Sequence, residues 1–388
     1  MKTLLKNVRA VQPDRIVDDA QILVDGDRIE AVNSSTGSNA ERTIDLNGET
    51  IFPGFIDVHI HGAVGIDTLE ADHEDLQRVS TFLAGKGVTG WMSTLVPGRV
   101  DEYKRAIHGM HEAIRSQRER VVGARVLGVH YEGPFVNSSQ CGALHVEYFR
   151  TYRNDSDLSE LPTVPDENAV HMMTLAPEVE GAIELVSVLK SKGWVASLGH
   201  TRASLELLNA ALAAGAQHMT HFMNAMSPLH HREPGPIAWG LARDEVTIDI
   251  IADGIHLDPY ILNLLVKVKG ASGISLISDA IAAAGKGDGN YQIWGETINV
   301  SNGRTSNKHG SIAGSVITML DAVRMMRSLG VSDVDVARMA SLNPARLLRI
   351  DTECGSLEEG KHADLVAVDT EGNVTLTMIG GEIVFQVS

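Results

Sequence analysis

Between Pro53 and Gly62 the chain reads Pro-Gly-Phe-Ile-Asp-Val-His-Ile-His-Gly. Side chains on a strand repeat every second residue, so the imidazoles of His59 and His61 are expected on one face, placed to hold a metal ion together. An isolated His-x-His also has a plain reading as a strand without a ligand. Ligand-type residues downstream change the balance, because each stands where another short apolar run stops: Glu132, His200, His221, Asp253 with His256, and Asp279. The imidazoles of His59, His61, His200 and His221 with the Glu132 carboxylate suit zinc or a similar first-row cation. A single catalytic zinc typically takes three protein ligands, so this set leaves room for a second ion.

Taken singly, each residue has a structural use. His200 and His221 could cap helices or satisfy buried carbonyls, Glu132 could pair with an arginine, and Asp279 could be an N-cap before Ala280 to Ala284. Together they are not expected to select the same end of one strand after another. His218, which begins its strand, is read as structural.

The elements that must position these residues alternate. Strand-like runs occur at Gly54–His59, Val88–Leu95, Arg125–Tyr131, Val170–Leu175, Trp194–Leu198, His218–His221, Val246–Ile251 and Ile274–Ile277. Helical spacing lies between most of them: Leu76, Val79, Phe82 and Leu83; Tyr103, Ile107, Met110 and Ile114; Leu205, Leu208, Ala211 and Leu212. This pattern predicts an α/β chain with a (β/α)8 TIM-type barrel, whose strands would deliver the ligands to one face. A doubly wound open sheet fits the pattern alone as well. Residues 1–52 and 355–388 read as short, turn-bounded strands, too few at either end to bury their own faces. They are expected to pair into one small β-sandwich domain, with residues 53–354 inserted as the barrel. Two polar segments break the alternation, Pro134–Asn168 and Gly285–Gly310, the second with a hairpin at Tyr291–Trp294 and Thr297–Val300. The final helices are expected at Val316–Ser328 and Val334–Leu348.

Composition narrows the class. A hydrophobic fraction of 43% over 388 residues supports a large core, and a net charge of -17 argues against nucleic acid or an anionic membrane as the main partner. It leaves room for a small anionic substrate held by local Arg and His. Two cysteines, Cys141 and Cys354, give no disulfide framework. With neither a signal-peptide hydrophobic region nor an apolar run long enough to cross a bilayer, a soluble cytoplasmic protein is expected.

Several stretches, in order, resemble a known family. Pro53 to Gly62, Glu132-Gly-Pro-Phe135, Thr174-Leu-Ala-Pro-Glu178, Gly199-His-Thr201, Thr220 to Met226, Arg232-Glu-Pro-Gly235, Ile251 to His256, Ser278-Asp-Ala280, Ala313-Gly-Ser315 and Gly355 to Asp364 look like the motifs of N-acetylglucosamine-6-phosphate deacetylases of the amidohydrolase superfamily. The resemblance implies hydrolysis of the acetamide of N-acetylglucosamine 6-phosphate to glucosamine 6-phosphate and acetate, in amino-sugar catabolism. It implies Glu132, His200 and His221 as ligands of the principal cation, with one or two ions (Zn, Fe, Mn or Co) per subunit, since this chain keeps both His59 and His61 where some members do not. Asp279 matches the catalytic aspartate. Asn224, Ala225, Arg232, His256 and the turn Ile312, Ala313, Gly314 match substrate-contacting positions, with Arg232 and His256 at the phosphate. The neighbouring His230 or His231 could assist there. The resemblance further implies a homodimer in which Arg232 and His256 reach the neighbouring subunit's site.

One departure stands out. The loop after Glu132-Gly-Pro-Phe135 normally ends in Gly-Ala-His or close to it, whereas here it reads Gly142-Ala143-Leu144-His145. Either His145 takes over beside Ala143 at the substrate, or Leu144 occupies the position and the cation polarises the carbonyl unaided. Rival readings are the galactosamine epimer, suggested by Leu229 to Gly235, a cyclic amidohydrolase, and a barrel without chemistry. No lysine stands at the expected strand ends to serve as a carbamylated bridge, and none of the main ligand residues is missing, which disfavours the last two.

Overall fold

The computed structural model describes residues 1–33 and 40–387. Eight parallel strands form the central sheet: Phe55–Ile60, Val88–Leu95, Arg125–Glu132, Val170–Leu175, Val195–Leu198, His218–Met219, Thr247–Ile251 and Ile274–Ile277, neighbours in space as in sequence. The seam between first and last is closed by a parallel bridge between Ile60 and Ala280. The Asp279 N–H donates to the His59 carbonyl at 2.9 Å, and the His61 N–H donates to the Ala280 carbonyl at 2.8 Å. This is the TIM-type barrel the alternation predicts, and it sets the doubly wound alternative aside.

The helices begin where their sequences carry caps. Asp72 accepts from the N–H groups of Glu74 and Asp75 ahead of His73–Ala84, and Ser204 accepts from Leu207 N–H ahead of Leu205–Ala214. Their apolar faces join Trp91, Val129, Tyr131, Met173 and Leu175, which point outward from the strands, in the main core. Facing the other way, Ile56, Val58, Met92, Met172, Val195, Ile251 and Ile277 form a smaller cluster with Ala345 and Leu348.

Three differences from the sequence reading are local. The sixth strand ends at Met219 rather than His221, because the His221 N–H is taken by the Asp249 carboxylate and its backbone turns left-handed, at φ +32°. The helix expected from Val316 starts at Met319, where Thr318 and Asp321 form a capping box. The last helical stretch, Asp333–Leu347, contains a π turn at Arg338–Leu342.

Strands from both ends hydrogen-bond into a second, mostly antiparallel sheet: Lys2–Val11, Ile16–Asp25, Arg28–Asn33, Arg42–Asp45 and Thr50–Pro53 with Leu365–Val368, Val374–Ile379 and Glu382–Gln386. The two ends meet where Thr50–Pro53 pairs with Leu365–Val368. Leu5, Ile22, Ile29, Ile51, Leu365, Leu376 and Met378 share one core, so neither end buries its apolar residues without the other. The segment after the eighth strand forms a three-stranded antiparallel meander, Gly289–Ile293, Glu296–Ser301 and Arg304–Ser306, one strand more than the expected hairpin. Among the described residues no helix is long and apolar enough to cross a membrane.

Candidate active site and cation centre

Strand alternation alone does not aim His59 and His61 correctly. Asp57 pairs with Trp91 but Ile60 pairs with Ser93, so three steps on the first strand match two on the second. This bulge lets Ile56 and Val58 point into the barrel and still leaves His59 and His61 inside it. Asp57, fully buried, ties the bulge to the seam by accepting from Ser278 Oγ at 2.5 Å, Ser278 N at 3.2 Å and His59 N at 3.3 Å. Burial pushes its carboxyl up to about 7 against the pull of those donors.

Six buried side chains converge at the strands' C-terminal ends. His59, His61 and Asp279 form one group able to hold a cation, and Glu132, His200 and His221 form another. Glu132 lies between them. Its Oε1 is 3.0 Å from Nε2 of both His200 and His221 and 3.5 Å from Nε2 of His59, while Oε2 is 3.3 Å from Nε2 of His61. Asp279 Oδ1 lies 3.4 Å from His59 Nε2 and 3.3 Å from His61 Nε2.

The donor chemistry fits a cation. His200 donates from Nδ1 to the Gln140 carbonyl at 2.7 Å, which leaves a lone pair on Nε2 when the ring is neutral. That lone pair faces a carboxylate oxygen and the Nε2 of His221, each at 3.0 Å. Lone pairs at such distances repel unless a proton or a cation sits among them. Electrostatics point the same way. Burial would raise the Glu132 carboxyl, but the surrounding imidazoles, His59 first and then His200, His221 and His61, hold it well below the carboxylate range. Burial would lower His61 and His221, yet hydrogen bonds to the carboxylates lift them to about 10 and about 9. His59 goes the other way, well below the usual range, because desolvation outweighs the attraction of Glu132. The centre favours positive charge in its middle.

Beneath it lies a polar layer that sequence reasoning missed. His130 Nε2 meets Thr174 Oγ1 at 2.8 Å, Thr174 meets Thr220 at 2.7 Å, and Ser197 meets Thr220 at 2.5 Å. Burial pushes the His130 imidazole down to about 3, so it serves as a neutral partner. His218 stays out of the centre, with Nε2 3.0 Å from Asp249. The same Asp249 holds the His221 backbone.

A cavity of about 200 Å³ opens above the cation groups, lined by His61, Glu132, His200, His221 and Asp279 with Gly142, Ala143, Leu144, Asn224, Ala225, His256, Trp294, Ile312 and Gly314. His256, expected at the neighbouring subunit's site, lines the cavity of its own chain instead, held through Nδ1 by Asp253 at 2.7 Å. Ala313 is fully buried behind its neighbours and lies outside the lining. His145 is outside it too: its Nε2 lies 2.8 Å from the Trp294 carbonyl and its Nδ1 3.2 Å from Glu147. Leu144 takes the cavity wall instead, packed with Val96 and Val136. Arg232 is exposed, 2.8 Å from His231, and does not reach the cavity of its own chain. Trp294 was not foreseen. It sits at the tip of the meander, its ring edge-on to His61 at 5.2 Å, and only the expected hairpin turn hinted at a projecting residue.

Residues 50–384 match the family model described as "Amidohydrolase family". An N-acetylglucosamine-6-phosphate deacetylase of Bacillus subtilis (strain 168) is 35% identical over 385 residues, covering 98% of this chain and 97% of the relative. An N-acetylgalactosamine-6-phosphate deacetylase of Escherichia coli O157:H7 is 34% identical, with 99% of each chain covered. A solved mutant N-acetyl-D-glucosamine-6-phosphate deacetylase from Mycobacterium smegmatis, in complex with N-acetyl-D-glucosamine-6-phosphate, superposes with a TM-score of 0.89 at 30% identity over 99% of both chains. The chain therefore belongs to the amidohydrolase family, in its N-acetylglucosamine-6-phosphate deacetylase branch.

Proposed function

We propose that this protein hydrolyses the acetamide of N-acetylglucosamine 6-phosphate to glucosamine 6-phosphate and acetate. The observation that carries the reading is the convergence of two cation-holding groups on the floor of one small cavity, with the Asp279 carboxylate among them. Glu132, His200 and His221 would hold the principal cation, and His59 and His61 would hold a second. When bound, a divalent first-row cation supplies a water acidic enough to ionise near pH 7 and polarises the acyl oxygen.

The remaining work falls to the chain's own residues. Asp279 takes the proton of the attacking water and passes it to the departing nitrogen; a carboxylate must receive before it can donate, so one residue serves both steps. Its position is fixed on both sides, by its N–H on the His59 carbonyl and by the Ser315 N–H on its own carbonyl at 2.7 Å. Asn224, Ala225, Ala143, Ile312 and Gly314 orient the sugar, and His256, with Nδ1 held by Asp253, offers its other ring nitrogen to the phosphate. Arg232 acts from the partner subunit of a homodimer, which accounts for its exposure in its own chain; its planar fork of donors suits phosphate oxygens. On this reading residues 53–354 are the catalytic unit, and residues 1–52 with 355–388 are one small β domain, residues 34–39 and 388 of which lie outside the described set.

The galacto epimer is the second reading, favoured by the 34% identity to the Escherichia coli enzyme over nearly the whole chain. Turnover of the two epimers under equal conditions, followed by acetate release, decides between them. A higher kcat/KM for the gluco epimer supports the first reading, a higher value for the galacto epimer replaces it with the second, and no acetate from either removes both.

A further inference from the structure

The fourth barrel strand sends no ligand to the centre, yet the segment after it ends in a carboxylate surrounded by donors. Glu178 Oε1 accepts from Asn137 Nδ2 at 2.7 Å and from the Arg202 backbone N–H at 2.6 Å, and Oε2 accepts from the Thr201 hydroxyl at 2.5 Å. All three donors are neutral, so directed hydrogen bonding accounts for the arrangement without an ion pair.

These donors flank His200 from two directions. Thr201 and Arg202 follow it directly in the chain. Asn137 belongs to the loop beyond Glu132, where its Oδ1 accepts from Ser139 N–H at 2.8 Å and so shapes the short turn Ser138–Gln140. That turn presents the Gln140 carbonyl to His200 Nδ1, and the Asn137 N–H donates to the His200 carbonyl at 3.1 Å. His200 itself stands at φ +47°, a conformation that a non-glycine residue keeps only where its surroundings hold it. Thr201 continues the chain of contacts, donating its N–H to the Ala225 carbonyl at 3.1 Å in the loop that carries Asn224.

We propose that Glu178 is a positioning residue: by gripping Asn137, Thr201 and Arg202 it fixes both the backbone of His200 and the carbonyl that orients its ring, and so sets the cation affinity of the centre. The inference rests on the cation-dependent reading of that centre.

The test uses purified, metal-free full-length protein, titrated with Zn²⁺ or Co²⁺ against a chromophoric chelator, with thermal midpoints and steady-state kinetics at saturating cation alongside. Glu178→Ala is expected to fold and to weaken cation binding by about 10- to 100-fold, the usual cost of losing a group that orients a ligand. Glu178→Gln is expected to restore most of the affinity, because its oxygen still accepts from Asn137 and Arg202 while its amide can donate to the Thr201 hydroxyl. Asn137→Ala combined with Glu178→Ala is expected to lose less than the two separate losses together, since both act on one clamp. A folded Glu178→Ala with unchanged cation affinity would overturn the proposal, as would a lowered thermal midpoint with unchanged affinity or a Gln variant as weak as the Ala variant. Wild-type protein that binds cation yet releases no acetate would instead sink the deacetylase reading and leave the effect of Glu178 on cation binding to be judged by itself.

Discussion

Asp279 and His59 are joined twice: backbone to backbone, N–H to carbonyl at 2.9 Å, and side chain to side chain, Oδ1 to Nε2 at 3.4 Å. The seam that closes the barrel is thus also the place where the proposed proton carrier meets the first cation group. Asp279 holds φ +50° there, so its geometry is imposed by the fold.

Asp279→Asn keeps the size and the backbone bonds and removes the ability to accept a proton. The variant should fold, retain its cation content and lose on the order of 10²- to 10⁴-fold in kcat. Acetate release and elemental analysis on the same preparation check this, and a kcat equal to wild type would remove Asp279 from the mechanism.

Glu132→Gln takes the one carboxylate shared by both groups out of the middle of four imidazoles. Cation content after dialysis should fall well below that of wild type, and activity should fall with it. Full cation content in the folded variant would show that Glu132 is not a ligand.

How far could this site be read before the fold was known? The spacing of His59 and His61 and the apolar runs ending at Glu132, His200 and Asp279 were legible, because strand periodicity and strand length are local properties. The bulge at Val58 and His59 was not, since it depends on the register against Trp91 and Ser93 on another strand. The choice between Leu144 and His145 was equally closed to sequence: it is decided by the Trp294 carbonyl, 149 residues away, which engages His145 and leaves Leu144 on the wall. The roles of Asp57, Asp249 and Glu178 were closed to sequence for a related reason, since they touch the backbones and loops that carry the candidate ligands, through partners on distant segments.

Arg232→Ala tests the phosphate role. Loss of a hydrogen bond to a charged group costs about 1.5–3 kcal/mol, on the order of a 10- to 100-fold rise in KM. The rise should appear for the phosphorylated sugar and be nearly absent for its unphosphorylated analogue, whereas equal effects on both would assign Arg232 another role.

His171 predicts a pH dependence of stability away from the centre. Its Nε2 accepts the Val164 N–H at 3.0 Å and its ring stacks on Trp194 at 5.0 Å, and burial holds its pKa below the ordinary value. The unfolded chain therefore takes up a proton at about pH 6.5 that the folded chain resists, so this contribution is complete above that pH and is lost as pH falls below it. In chelator-treated protein the urea midpoint of wild type should drop more between about pH 7.5 and pH 5.5 than that of His171→Gln. Parallel drops would clear His171 of the effect.

The most direct measurement is a cation titration of chelator-treated protein with N-acetylglucosamine 6-phosphate present, following bound metal and acetate together. The account predicts negligible acetate without cation and a rate that climbs in step with filling of the centre. Undiminished turnover in the metal-free protein, or a fully loaded protein that leaves the acetamide intact, would contradict it.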